Sequence, residues 1–184
     1  MKRLIMAAFG ATLALASACG PDEEEDPGCK AGACPFDYST FDSTIPVSFE
    51  TEVFPIFRRS CGLSSSCHGS ELKPSAGLYI GPKRSDTTTV VDQAFRQMII
   101  DDYLVQPSKT APEWKRVEPN QPEKSFLMLK LDHCQATAGL NCDQQSGAKS
   151  DEPCGDGMPQ TSSSLCPEEL DLIRRWIAQG AKNN

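Results

Sequence analysis

Histidine is scarce in this chain: only His68 and His133 occur in 184 residues. No nucleophile, base and acid arrangement of the kind hydrolases use is visible around two histidines, which leaves hydrolysis with little support. Positive charge is also short, with 18 Lys and Arg against 25 Asp and Glu and a formal charge of −7. Phosphate backbones are bound by basic patches, so this balance speaks against nucleic acid as a partner. The sequence contains no internal repeat. Its apolar run from Leu4 to Ala16 is shorter than the ~20 residues that span a bilayer, which argues against a spanning helix there.

Cysteine, by contrast, is plentiful: there are nine. Lys2 and Arg3 precede the apolar run, which closes on the small residues Ala16-Ser17-Ala18 directly before Cys19. That order reads as a secretory signal. Because a cysteine follows the small residues, the segment resembles a bacterial lipoprotein signal, which implies acylation of Cys19 and a lipid anchor in the cell envelope. Gly20, where an aspartate is associated with inner-membrane retention, favours the outer membrane. Removing Lys2 and Arg3 takes the formal charge from −7 to −9. The expected organisation is a signal over 1–18, an acylated acidic and proline-rich tether over 19–46, and one domain over 47–184. The carboxylate run Asp22 to Asp26 repels itself and stays solvated. Within the tether only Phe36, Tyr38 and Phe41 are suited to dock on the domain.

Beyond Cys19 the remaining cysteines are even in number, and an exporting compartment lets disulfides persist. Nearest neighbours are the simplest pairing: Cys29 with Cys34, Cys134 with Cys142, and Cys154 with Cys166. Cys61 and Cys67 are then left for a cofactor or for each other.

Four stretches read as helix, and the rest mostly as loop. Phe49 to Ser60 places Val53, Phe54 and Phe57 on one apolar face, and Pro55, best tolerated in a first turn, puts the cap near Thr51. Val90 to Ile100 and Glu123 to Leu131, the latter started by Pro122, are the middle two. The last opens on Pro167 with Glu168 and Glu169 at its positive end, sets Leu170, Ile173, Trp176 and Ile177 on one face, and stops at Gly180. The fold class is therefore mostly α, a small disulfide-stapled helical domain with long loops.

Five short motifs follow one another in order. Val53-Phe54-Pro55-Ile56-Phe57 precedes Cys61-Gly62-Leu63-Ser64-Ser65-Ser66-Cys67-His68-Gly69; Pro119-Asn120-Gln121-Pro122-Glu123-Lys124-Ser125-Phe126-Leu127 lies midway; Gly157-Met158-Pro159 and Trp176-Ile177-Ala178-Gln179-Gly180-Ala181 come last. From Val47 to Ala181 the chain resembles the cytochrome c-like domain of secreted proteins and lipoproteins of planctomycetes and myxobacteria. The resemblance implies a haem c held by thioether bonds to Cys61 and Cys67, with His68 as proximal iron ligand and Met158 as distal ligand, or His133 in its place. It departs from that pattern in one respect: five residues separate the two cysteines where the usual attachment sequence has two. On a regular helix that spacing carries the second thiol to another face, so Gly62 to Ser66 must loop out.

Two functions follow from these residues. The first is one-electron transfer by a membrane-anchored cytochrome that meets a redox protein partner in the cell envelope. The second is a haem-less, disulfide-stabilised envelope lipoprotein with a binding or structural role, in which Cys61 and Cys67 pair with each other. Structural zinc is a less economical use of the cysteines. Met158 has an alternative fate as core filler, and Trp176 is expected in the core, with cofactor contact as a second role.

Overall fold

The computed structural model describes Cys29 and residues 34–143, 154–160 and 165–184. The expected signal over 1–18, Cys19 and the carboxylate run Asp22 to Asp26 lie outside the described residues. Among those described, the chain is mostly helical and loop-rich with no β-strand; one isolated antiparallel bridge joins Pro107 and Lys115. No helix among them is long and apolar enough to cross a membrane.

The first helix begins earlier than the proline suggested. A π-helical turn, Phe49–Val53, runs directly into α1, Phe54–Ser60. Ser48 caps it, its hydroxyl accepting from the Thr51 amide at 3.2 Å. Pro55 has no N–H to give, and the amides before it bond five residues back: Val53 N–H donates to the Ser48 carbonyl at 3.3 Å. Exposed amides at this end are met from the far terminus. Asn184 accepts from the Glu50 amide through its carbonyl and from the Phe49 amide through Oδ1, each at 3.0 Å.

The second helix is displaced the other way, towards its C-terminus. Asp92 caps α2, Gln93–Met98, by accepting from the Phe95 amide at 2.8 Å, and a π-helical stretch, Ile99–Leu104, continues it. The third expected helix is broken in two: a 3-10 turn over Pro122–Lys124 and α3 over Phe126–Leu131. Ser125 interrupts them because its hydroxyl is committed elsewhere, donating to the Gln121 carbonyl at 3.1 Å and accepting from the Glu118 amide at 2.9 Å. The last helix, α4, Pro167–Ala178, agrees with its sequence signals, and Gly180 takes a left-handed φ of 97° just past its end.

The core forms where α4 crosses the first helix. Trp176 stacks on Phe49 with centroids 4.8 Å apart and meets the Phe57 ring edge-on at 6.0 Å. Val53, Ile173 and Ile177 complete this layer, all fully buried. Trp176 also donates from Nε1 to the Lys182 carbonyl at 2.8 Å, which satisfies the one polar group it brings inside.

The disulfides correct the nearest-neighbour pairing. Cys29 joins Cys166, Cys34 joins Cys134, and Cys142 joins Cys154, at sequence separations of 137, 100 and 12. Two of these fasten the segment read as tether onto the domain. From Cys34 to Pro46 the chain forms a strap over α4: the Arg174 guanidinium sits 3.7 Å from the Phe36 ring centroid, and Arg175 lies 5.6 Å from that of Phe41. Gln179 Nε2 donates to the carbonyls of Ser43 and Ile45 at 2.9 and 2.6 Å. Docking through Phe36, Tyr38 and Phe41 agrees with the sequence; the free run as far as residue 46 does not. Proximity in sequence misled because Cys29 and Cys34 meet cysteines beside α4 and α3, which lie far from them in the chain.

Candidate functional site

α1 ends at Ser60, and the chain leaves the helix at Cys61 to form a closed loop. The Cys61 and Gly62 amides both still bond to the Phe57 carbonyl, at 2.8 and 2.9 Å. The loop then turns on Ser64, whose carbonyl accepts from the Cys67 and Gly69 amides at 3.2 and 3.1 Å, and His68 N–H returns to the Cys61 carbonyl at 3.1 Å. The long cysteine spacing is thus absorbed by a turn that brings His68 back beside Cys61. Gly69 is the tight point: a Cβ there would meet the Gly62 and Ser64 carbonyl oxygens at 2.8 and 2.9 Å. Any side chain at position 69 forces the loop open.

A largely apolar cleft of about 220 Å³, open to solvent at its mouth, lies against this loop. One wall is the cysteine loop with Cys61, Cys67 and His68; a second is α3 with Phe126, Leu127, Lys130 and Leu131; a third is the loop 154–160 with Met158. Leu78, Ile80 and Arg116 line the remainder. Four residues chosen from the sequence, Cys61, Cys67, His68 and Met158, therefore share one cavity although Met158 is remote from the others in the chain. His133 and Trp176 do not line it. His133 is exposed and stands against the backbone of Gly157, where a Cβ would approach its ring to 2.6 Å. Trp176 belongs to the core alone.

Cys61 and Cys67 are unpaired, whereas the other described cysteines are cross-linked. Burial pushes the Cys61 thiol up to about 12, with the neighbouring Cys67 adding to the rise and Arg59 opposing it. Cys67 is half-buried, and its sulfur accepts from Ser64 Oγ at 3.4 Å. The thiolate is the reactive form, so the two thiols differ in reactivity. Iodoacetamide at pH near 8 is expected to modify Cys67 in the folded, haem-free protein and to spare Cys61, with both labelled in denaturant. Peptide mapping checks this; equal labelling of both in the folded state would place Cys61 at the surface.

His68 is 8% exposed, and its Nδ1 lies 2.8 Å from the Leu78 carbonyl oxygen. A carbonyl can only accept, so Nδ1 carries a proton. Burial lowers the imidazole pKa, the Leu78 carbonyl opposes that, and the nearby Arg116 guanidinium adds to the lowering. The net shift favours the neutral ring, the form that ligates.

Two cations also face the cleft. Arg116 Nη1 donates to the Tyr103 carbonyl at 3.0 Å, and Nη2 to those of Ala76 and Gly77 at 3.2 and 3.3 Å, pinning the segment that carries Leu78. Lys130 donates to the carbonyls of Cys154 and Asp156, and burial brings its pKa down to about 8 against the favourable charge of Asp156. Neither residue stood out in the sequence, because a lysine on a short helix reads as solvent-facing until the loop that covers it is in place.

Among the described residues, no three His, Cys, Asp or Glu side chains are grouped to hold a bare metal ion. The donors are instead spread around an apolar slot. No family model, curated protein or solved structure matches the chain.

Proposed function

We propose that the protein is a c-type cytochrome-like electron carrier that binds one haem in the cleft and is tethered to the cell envelope through an acylated Cys19. One observation carries the reading. The two unpaired cysteines, the buried neutral histidine and Met158 line a single apolar cleft, while the other described cysteines are joined in disulfides. In this reading Cys61 and Cys67 would anchor the haem, and the His68 imidazole and the Met158 thioether would hold its iron. The haem would supply reversible one-electron chemistry, and a thioether ligand raises its potential relative to a second imidazole. The chain's contribution is to orient and to shield. The Leu78 carbonyl fixes the imidazole, and Leu78, Ile80, Phe126, Leu127 and Leu131 give the cleft apolar walls. Its partner in this reading is a redox protein of the envelope.

The test is expression in an exporting host with haem-attachment machinery, followed by a pyridine haemochrome spectrum and a haem stain after denaturing electrophoresis. Covalent haem is expected in the wild type and is expected to disappear in Cys61→Ala/Cys67→Ala. A haem-free wild type would overturn the electron-transfer reading and leave the fold as a disulfide-stabilised envelope lipoprotein.

A further inference from the structure

Lys130 is the least expected residue in the cleft. It is 9% exposed, and a lysine is almost never so buried without partners that hold its charge. Its partners are backbone carbonyls, those of Cys154 and Asp156, and its ammonium lies 5.6 Å from the Phe126 ring centroid. The main chain of the same residue makes a third tie, its carbonyl accepting from the Met158 amide at 2.9 Å. One residue of α3 thus grips the 154–160 loop at alternate positions. Among the described residues, the Cys142–Cys154 disulfide fixes the start of the loop, Gln135 Nε2 donates to the Gly155 carbonyl at 3.0 Å, and Gln160 Nε2 donates to the Asp156 carboxylate within it. An apolar residue at position 130 would fill the volume but leave two inward carbonyls without a donor.

We propose that Lys130 is the positioning residue of the Met158 loop: its ammonium gathers the Cys154 and Asp156 carbonyls and so sets the depth at which Met158 lines the cleft. The part of this that concerns iron ligation rests on the cytochrome reading; the clamp itself does not. A cation joined to two carbonyls also explains why the loop follows α3 closely instead of spreading into the cleft mouth.

The test uses Lys130→Met, which keeps length and removes the donors, and Lys130→Arg, which keeps the charge and the donors. In the haem-free protein, hydrogen exchange across 154–160 is expected to quicken about tenfold or more in Lys130→Met, the loss of charge-assisted bonds, and to stay near wild type in Lys130→Arg. In the haem-loaded protein, Lys130→Met is expected to keep wild-type covalent haem but lose the methionine-to-ferric-iron absorption band, with Lys130→Arg restoring it. Unchanged exchange in Lys130→Met overturns the clamp. Quickened exchange with an intact band overturns its role toward the ligand. A wild type without haem removes that ligand role together with the cytochrome reading, and the exchange result still decides the clamp.

Discussion

Arg174→Ala is expected to destabilise the fold by about 3–5 kcal/mol, the usual cost of breaking a buried ion pair from one side. Arg174 is 1% exposed, and its guanidinium is bonded to the Asp132 carboxylate at the end of α3, to Asp171 Oδ1 at 2.9 Å on its own helix, and faces the Phe36 ring of the strap. It therefore joins three parts of the chain. Truncation strands the Asp132 carboxylate, itself only 4% exposed, and removes the platform on which the strap lies. Chemical denaturation checks the loss, and a cost under about 1 kcal/mol would mean that water reaches the pair. The double variant Arg174→Met/Asp132→Leu is expected to recover most of the loss, because no charge is then left buried.

The same pair has a pH signature. Burial lifts the Asp132 carboxyl from 3.8 to about 6 even though the Arg174 guanidinium opposes the rise. A carboxyl that holds its proton more tightly when folded contributes stability that is full below the unfolded value and lost as pH climbs through the folded one. Asp132→Asn is expected to flatten the fall in stability between about 3.8 and about 6. Denaturation midpoints across that window check it, and an unaltered slope would return Asp132 to the ordinary carboxylate range.

Trp176→Ala is expected to cost a comparable amount, about 3–5 kcal/mol, through a different mechanism. The indole is 1% exposed, stacked on Phe49 and edge-on to Phe57, so its loss leaves a void where α4 crosses the first helix. Trp176→Phe keeps most of the apolar volume and gives up the bond from Nε1 to the Lys182 carbonyl, for about 1–2 kcal/mol. Thermal unfolding separates the two variants. Equal losses in both would show that the hydrogen bond, not the packing, dominates.

Much of the candidate site was legible as residue types. Cys61, Cys67, His68 and Met158 stood out because thiols, an imidazole and a thioether in that order suggest a haem, and all four line the cleft. The scaffold was legible for a simpler reason: the apolar faces of the first and last helices repeat at helical spacing, and both faces are buried together. What was not legible depends on which distant segments meet. Lys130 and Arg116 are cleft residues only because backbone carbonyls from other loops come to them, and no sequence pattern marks a carbonyl. His133, the alternative to Met158 as a ligand, does not line the cleft, and its ring stands against Gly157.

By itself, then, the sequence determined the mostly helical class, the apolar faces and the chemistry of the candidate donors. Those properties are written locally, in periodicity and in side-chain type. Tertiary structure alone decided the disulfide pairing, the strap and the clamp on the Met158 loop. Each of these joins segments far apart in the chain, as in the separations of 137 and 100 residues at Cys29–Cys166 and Cys34–Cys134, and such pairings are set by how the loops close over α3 and α4.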